Sequence, residues 1–174
     1  MMSIKNWLQE KLMIFLRIAK NIGILNYLFF SLVWLLRRNK IHYLSHPTTT
    51  FVKPKNVLFQ NDFITRKSFC VSPGCYFQAS NKILIGSNFL FAPGVKLISA
   101  NHDVANAKRK SVPCSPIIIG NNVWLGADVI VLPGVEIADG VVVGAGSVVT
   151  KSLLTENGVY AGNPARELYV SHEK

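Results

Sequence analysis

Between residues 119 and 149 the chain repeats itself every six residues. Written in sixes, the stretch reads IGNNVW LGADVI VLPGVE IADGVV VGAGSV V. Each block opens on an aliphatic residue: Ile119, Leu125, Val131, Ile137, Val143 and Val149. The second place is small in most blocks, as at Gly120, Gly126, Ala138 and Gly144. The fifth is Val123, Val129, Val135, Val141 or Ser147. A helix repeats about every 3.6 residues and a flat strand about every two, so neither explains this period. A coil made of three short flat edges does. Each edge sends an aliphatic side chain into a narrow interior, and a small residue eases the corner where the backbone turns. The pattern predicts a parallel β-helix of hexapeptide repeats, in which no coil buries its interior alone.

Upstream the rhythm is looser. IGSNFL FAPGVK LISANH keeps Ile85, Phe91 and Leu97 in register, whereas VSPGCY FQASNK sets Val71 and Phe77 in a register two residues off. From Leu97 to Ile119 is 22 residues, not a multiple of six, so an excursion loop must leave the coil near residues 100–116. His102 stands at its root. His42 and His46 precede the repeats and His172 ends the chain. A zinc site of three histidines on the coils is therefore excluded, and no metal is expected.

Residues 1–45 read differently. Leu8, Leu12, Phe15, Ala19 and Ile22 recur at helical steps, and Ile22–Leu36 is almost wholly apolar. Fifteen helical residues reach about 22 Å, too short for a bilayer core of about 30 Å. A helical hairpin or bent helix follows. Either it lies on a membrane surface, anchored by Trp7, Trp34 and the basic flanks, or its apolar face packs on protein. The breaker-rich HPTTTFVKPKN (46–56) marks the boundary, with the β-helix domain over 46–174. The fold class is thus mainly β with an N-terminal α-helical segment.

The formal charge is +10, and residues 1–40 carry seven basic residues against Glu10 alone. Such a surplus suits a phosphorylated cofactor or an anionic lipid surface. No recognition motif accompanies it, so nucleic acid is not an expected partner. Cys70, Cys75 and Cys114 are odd in number and lack zinc spacing. They read as buried or half-buried thiols in a reducing compartment.

The run IGNNVWLGADVIVLPGVEIADGVVVGAGSVVTKSL, followed by GVYAGNPAREL, resembles the hexapeptide-repeat acyltransferases over roughly residues 71–170. The nearest branch is that of galactoside and maltose O-acetyltransferases with the sugar acetyltransferases of exopolysaccharide and capsule assembly. The resemblance implies a left-handed β-helix, a homotrimer with active sites between subunits, and acetyl-CoA as co-substrate. It makes His102 the catalytic base and the Ala127 N–H the oxyanion donor. It places the cofactor along Ala127, Ala145, Thr150, Lys151 and Arg166.

The residues themselves fit such chemistry. A base, an oxyanion donor and aligned substrates suffice for acetyl transfer from a thioester to a hydroxyl. Small residues at 144–147 would let a pantetheine arm approach the backbone, and Lys151 and Arg166 could meet phosphates. Trp124 either walls the site or packs between subunits. The AKRK run (107–110) is either a contact for an anion or simply solvated. Asp103 is too close in sequence to orient His102, so a carboxylate or backbone carbonyl from elsewhere must do so. Cys114 has no base near it in sequence and is not an expected nucleophile.

The expected function is O-acetylation of a sugar hydroxyl in surface polysaccharide assembly, with a lipid-linked saccharide as one form of acceptor. The expected location is cytoplasmic, or peripheral on the inner face of the cytoplasmic membrane. N-acetylation of an amino sugar on a nucleotide or lipid carrier is a second reading, and a non-catalytic β-helix scaffold a third.

Overall fold

The computed structural model describes residues 4–37, 44–105, 107–112 and 114–170. Arg38, Lys40, His42 and His172 lie outside the described residues, as do the side chains of Lys5, Trp7, Lys11, Trp34 and Arg37.

The six-residue period becomes a three-sided coil. A first sheet joins Lys96–Ile98, Ile130–Val131 and Val148–Val149, a second joins Ile83–Ile85, Ile117–Ile119 and Glu136–Ile137, and a third joins Leu90–Phe91, Trp124–Leu125 and Val142–Val143. The chain visits them in rotation, and every pairing among these strands is parallel. Trp124 lies opposite Val142, Ile130 opposite Val148 and Ile118 opposite Glu136, a step of 18 residues or three hexapeptides each time. From Ile119 to Val149, no residue at the first or fifth place of a block is more than 2% exposed. Both columns face the interior, where aliphatic burial supplies the driving force.

The corners correct one expectation. The glycines in the second place do not make the turn. Gly126 has no positive φ, but a Cβ there would stand 2.6 Å from the backbone nitrogen of Ala145 in the next coil. This column is small because successive coils approach closely. The turn itself falls two residues later, where Asn122, Asp128, Gly134, Gly140 and Gly146 all adopt the left-handed conformation at φ between 56° and 75°. Gly, Asn and Asp tolerate that region best.

Upstream irregularities have measurable sizes. Ile85 pairs with Ile119 and Leu97 with Val131, steps of 34 in place of 18, so the excursion adds 16 residues. Phe77 pairs with Leu97, a step of 20, which is the two-residue offset visible in the sequence. The extra residues fall in the corner at Asn81. Its amide nitrogen donates to the Ser99 carbonyl (2.6 Å), its backbone N–H to Ser99 Oγ (2.9 Å), and Ser99 Oγ donates back to its carbonyl (2.8 Å).

The coil begins earlier than the resemblance indicated. Thr50–Val52 extends the first sheet and Val57–Phe59 the second. A helix not expected from the sequence, Phe63–Val71 (here α3), then takes the place of a strand beside Leu90–Phe91. Asp62 caps it, accepting from the Thr65 N–H at 2.8 Å. The buried hydroxyls of Thr65 and Ser68 accept the N–H groups of Phe89 and Phe91, so the edge of the third sheet is satisfied by side chains. Phe69 plugs the coil's end against Phe51, Phe59, Phe77 and Phe91, with ring centroids 5.0–6.2 Å away. Val71, expected in the repeat register, instead ends α3 and is 40% exposed. At the far end Gly158–Ala161 extends the third sheet and carries Arg166–Val170 antiparallel to it.

The N-terminal segment is a bent pair, α1 (Ile4–Ile22) and α2 (Ile24–Arg37), with a bend of 114° at Gly23. Ile14, Ile18 and Phe30 are buried with Leu44 and Cys70, so the pair packs on α3. The inward face holds part of the expected stripe: Ala19 is buried and Ile22 packs on the cluster, Ile14 and Ile18 are buried beside them, and Leu12 is 55% exposed.

Candidate active site

The excursion loop leaves the coil as a narrow two-stranded ribbon. Asn101 pairs with Val112 and His102 with Ser111, and the Asp103 N–H donates to the Lys110 carbonyl at 2.9 Å. His102 is exposed on this ribbon. Its Nδ1–H donates to the backbone carbonyl of Arg109 at 2.6 Å. A carbonyl oxygen can only accept, so Nδ1 carries the proton and Nε2 keeps a free lone pair. That arrangement presents a base outward with a fixed tautomer. The sequence required an orienting carbonyl or carboxylate without identifying it, and the residue is Arg109. Arg109 has φ 47°, a left-handed conformation, and its own guanidinium donates to the Val104 carbonyl. Asp103 caps the local turn instead, accepting from the Ala105 N–H at 2.9 Å, as its adjacency to His102 suggested.

The root of the ribbon is clamped from the preceding coil. The Ala100 N–H donates to Gln78 Oε1 at 3.0 Å, and Ser99, fully buried, is held by Asn81. Sequence reasoning missed Gln78 and Asn81 as positioning residues. Their signal was the polar pair in FQASNK, just where the register slips.

The other expected site residues fall on two different edges of the coil. Ala127 and Ala145 stack one above the other on the edge between the third and first sheets, where the Gly146 N–H donates to the Ala127 carbonyl at 2.7 Å. Among the described residues the Ala127 N–H has no acceptor, whereas the equivalent N–H of Asn121 donates to Asp139 Oδ1 at 2.7 Å. A backbone N–H left without an acceptor is what an oxyanion donor requires. Arg166 lies beside this edge, since the adjacent Ala165 N–H donates to the Val148 carbonyl at 2.8 Å; its guanidinium is exposed.

Thr150 and Lys151 follow Val149 on the edge between the first and second sheets, the edge from which the His102 ribbon leaves. Both are exposed. Within one chain the first sheet therefore separates His102 from Ala127, and no hydrogen bond joins them among the described residues. Trp124 is 48% exposed on the outer face of the third sheet, in register with the 43% exposed Leu90.

Two of the three thiols are buried. Burial pushes Cys70 up to about 12 and raises Cys75 as well, so neither is a thiolate near neutrality. Cys114 is half-buried and its thiol faces the Val112 carbonyl at 3.5 Å. Among the described residues no group of three or more His, Cys, Asp or Glu could hold a metal ion.

Comparison with known proteins gives this arrangement relatives. The family described as bacterial transferase hexapeptide (six repeats) matches residues 116–151. Galactoside O-acetyltransferase of Escherichia coli K12 is 37% identical over 145 residues, 70% of this chain and 70% of that one. A putative colanic acid biosynthesis acetyltransferase from the same strain is 44% identical over 84 residues, 48% of this chain and 45% of the relative. Among solved structures, a galactoside acetyltransferase in complex with coenzyme A superposes with a TM-score of 0.62 at 33% identity, covering 74% of this chain and 61% of that one.

Proposed function

The chain belongs to the hexapeptide-repeat transferases, and on that premise we propose that it moves acetyl from acetyl-CoA to a hydroxyl of a sugar, with His102 as general base. The observation that carries this reading is the hydrogen bond from His102 Nδ1–H to the Arg109 carbonyl, which leaves Nε2 as the basic atom. Nε2 takes the acceptor's hydroxyl proton as the oxygen attacks the thioester carbonyl. The oxyanion that forms is met by the N–H of Ala127. Collapse of the tetrahedral intermediate expels the CoA thiolate, and the imidazolium returns the proton to it.

His102 and Ala127 occupy different edges of one coil, so a complete site takes its two halves from two copies. A left-handed coil assembled as a homotrimer, with three equivalent clefts, satisfies that demand. Ala145, beside Ala127, gives the pantetheine arm a shallow floor. Thr150, Lys151 and Arg166 supply a hydroxyl and two cations for the phosphates, which suits the anion. The sugar acceptor rests on the galactoside acetyltransferases, and a role in surface polysaccharide assembly on the colanic acid relative.

The test is free-thiol release from acetyl-CoA by the full chain, offered galactosides, other hydroxyl sugars, lipid-linked saccharides, amino sugars and a simple alkyl alcohol. Release with hydroxyl sugars above the alkyl alcohol is the expected result. Release confined to amino sugars would overturn the hydroxyl acceptor, and release with none of them would overturn sugar acetylation.

A further inference from the structure

The α1–α2 pair buries one apolar face and exposes another. On α2, Tyr27 and Phe30 face the body of the protein, Phe30 buried against Ile14, Ile18, Leu44 and Cys70. The opposite side carries Leu25, Leu28, Phe29, Leu32, Leu35 and Leu36, each between 51% and 80% exposed. Their spacing at three and four residues makes one continuous stripe along the helix. Leu12, Met13 and Leu16 are also exposed on α1, as is Lys20, whereas Arg17 sets its guanidinium over the Phe63 ring at 5.8 Å from the centroid. Soluble surfaces rarely leave so large an apolar patch bare. Residues 21–36 contain no charge at all, while residues 1–40 hold seven basic residues and one acid.

We propose that this face is a monotopic membrane-binding surface for anionic lipid. No described helix is long and apolar enough to cross a bilayer, and α2 at 14 residues reaches only about 21 Å. A helix of that length seats its apolar stripe at the boundary between headgroups and acyl chains. The basic residues of the segment supply charge for lipid phosphates, and a long cationic side chain such as Lys20 can lay its stem on the apolar surface while the charge stays wet. Charge selects lipid over a second copy as the occupant. Residues 1–40 carry a net charge of +6, so two such segments repel one another, whereas an anionic bilayer is complementary.

The test is co-sedimentation of the full chain with phosphatidylglycerol–phosphatidylcholine vesicles and with phosphatidylcholine alone. The L28E/L32E double variant and the single L25E, at a 78% exposed position, are measured alongside. Binding to the anionic vesicles is expected to exceed that to neutral ones by at least about tenfold at low salt and to weaken as salt rises. The double variant should lose more than about tenfold in binding, with its thermal unfolding and solution mass unchanged. Equal affinity for both vesicle types, or no loss in either variant, would overturn the proposal. So would a fall in solution mass of L28E/L32E, which would assign the stripe to contacts between copies.

Discussion

At the scale of single residues, the decisive contact is between an imidazole and a peptide carbonyl seven residues away. The left-handed backbone at Arg109 belongs to the tight end of the ribbon that brings its carbonyl to His102. Arg109→Gly keeps that conformation accessible, so most of the acetyl-transfer rate should survive. Arg109→Pro cannot adopt φ 47°, and it should lower kcat by roughly ten- to a hundredfold with KM for acetyl-CoA little changed. Steady-state kinetics of the two variants read this directly; equal rates would remove the carbonyl from the account. The position of His102 at the root of a loop was legible because a period of six stops there. Its partner was not legible, because any residue has a carbonyl and an arginine does not announce a left-handed turn. Gln78 and Asn81 were hidden for a related reason. They lie in coils whose register is broken by the same insertion they stabilise.

At the scale of elements, the hexapeptide encodes two corner requirements that a sequence pattern merges into one. The second-place glycines answer a close approach between coils, and the fourth-place Gly, Asn and Asp answer a positive φ. Gly126→Ala should therefore destabilise by about 1–3 kcal/mol, because its methyl meets backbone that cannot move aside. Gly146→Ala, with open space but φ 70°, should cost only about 1–2 kcal/mol. Urea unfolding measures both, and a neutral Gly126→Ala would mean that the coils are farther apart than described. Helix α3 escaped the sequence reading because nine residues inside a repeat region read as an irregular coil. Its tertiary role, plugging the end with Phe69 and pairing the sheet edge through Thr65 and Ser68, has no local signature.

Where the helical pair meets the coil, His46 is a titratable group packed against Phe30. Its ring meets Phe30 edge-on at 5.1 Å, and burial pulls its pKa below the ordinary 6.5. A base lowered on folding holds its full contribution above 6.5 and loses it as pH falls through the folded value. Thermal unfolding should fall more steeply below pH 6.5 in the wild type than in His46→Gln. Parallel curves would show that His46 does not couple the pair to the coil.

At the scale of the whole molecule, His102 and Ala127 lie on separate edges of the coil, and the proposed reaction requires that a second copy bring them together. The coil was legible from 119 to 149 because every turn obeys the same spacing. Upstream of it the spacing was obscured by insertions that change the step from 18 to 20, 26 and 34. The positive charge is also divided, seven basic residues falling in residues 1–40 and others, Lys151 and Arg166 among them, on the coil. The most direct measurement pairs acetyl-CoA affinity by calorimetry with acetyl transfer to a sugar hydroxyl, for the wild type and His102→Ala. Loss of a general base predicts a fall in kcat on the order of a hundred- to ten-thousandfold with acetyl-CoA affinity retained. Undiminished transfer by His102→Ala would contradict the account.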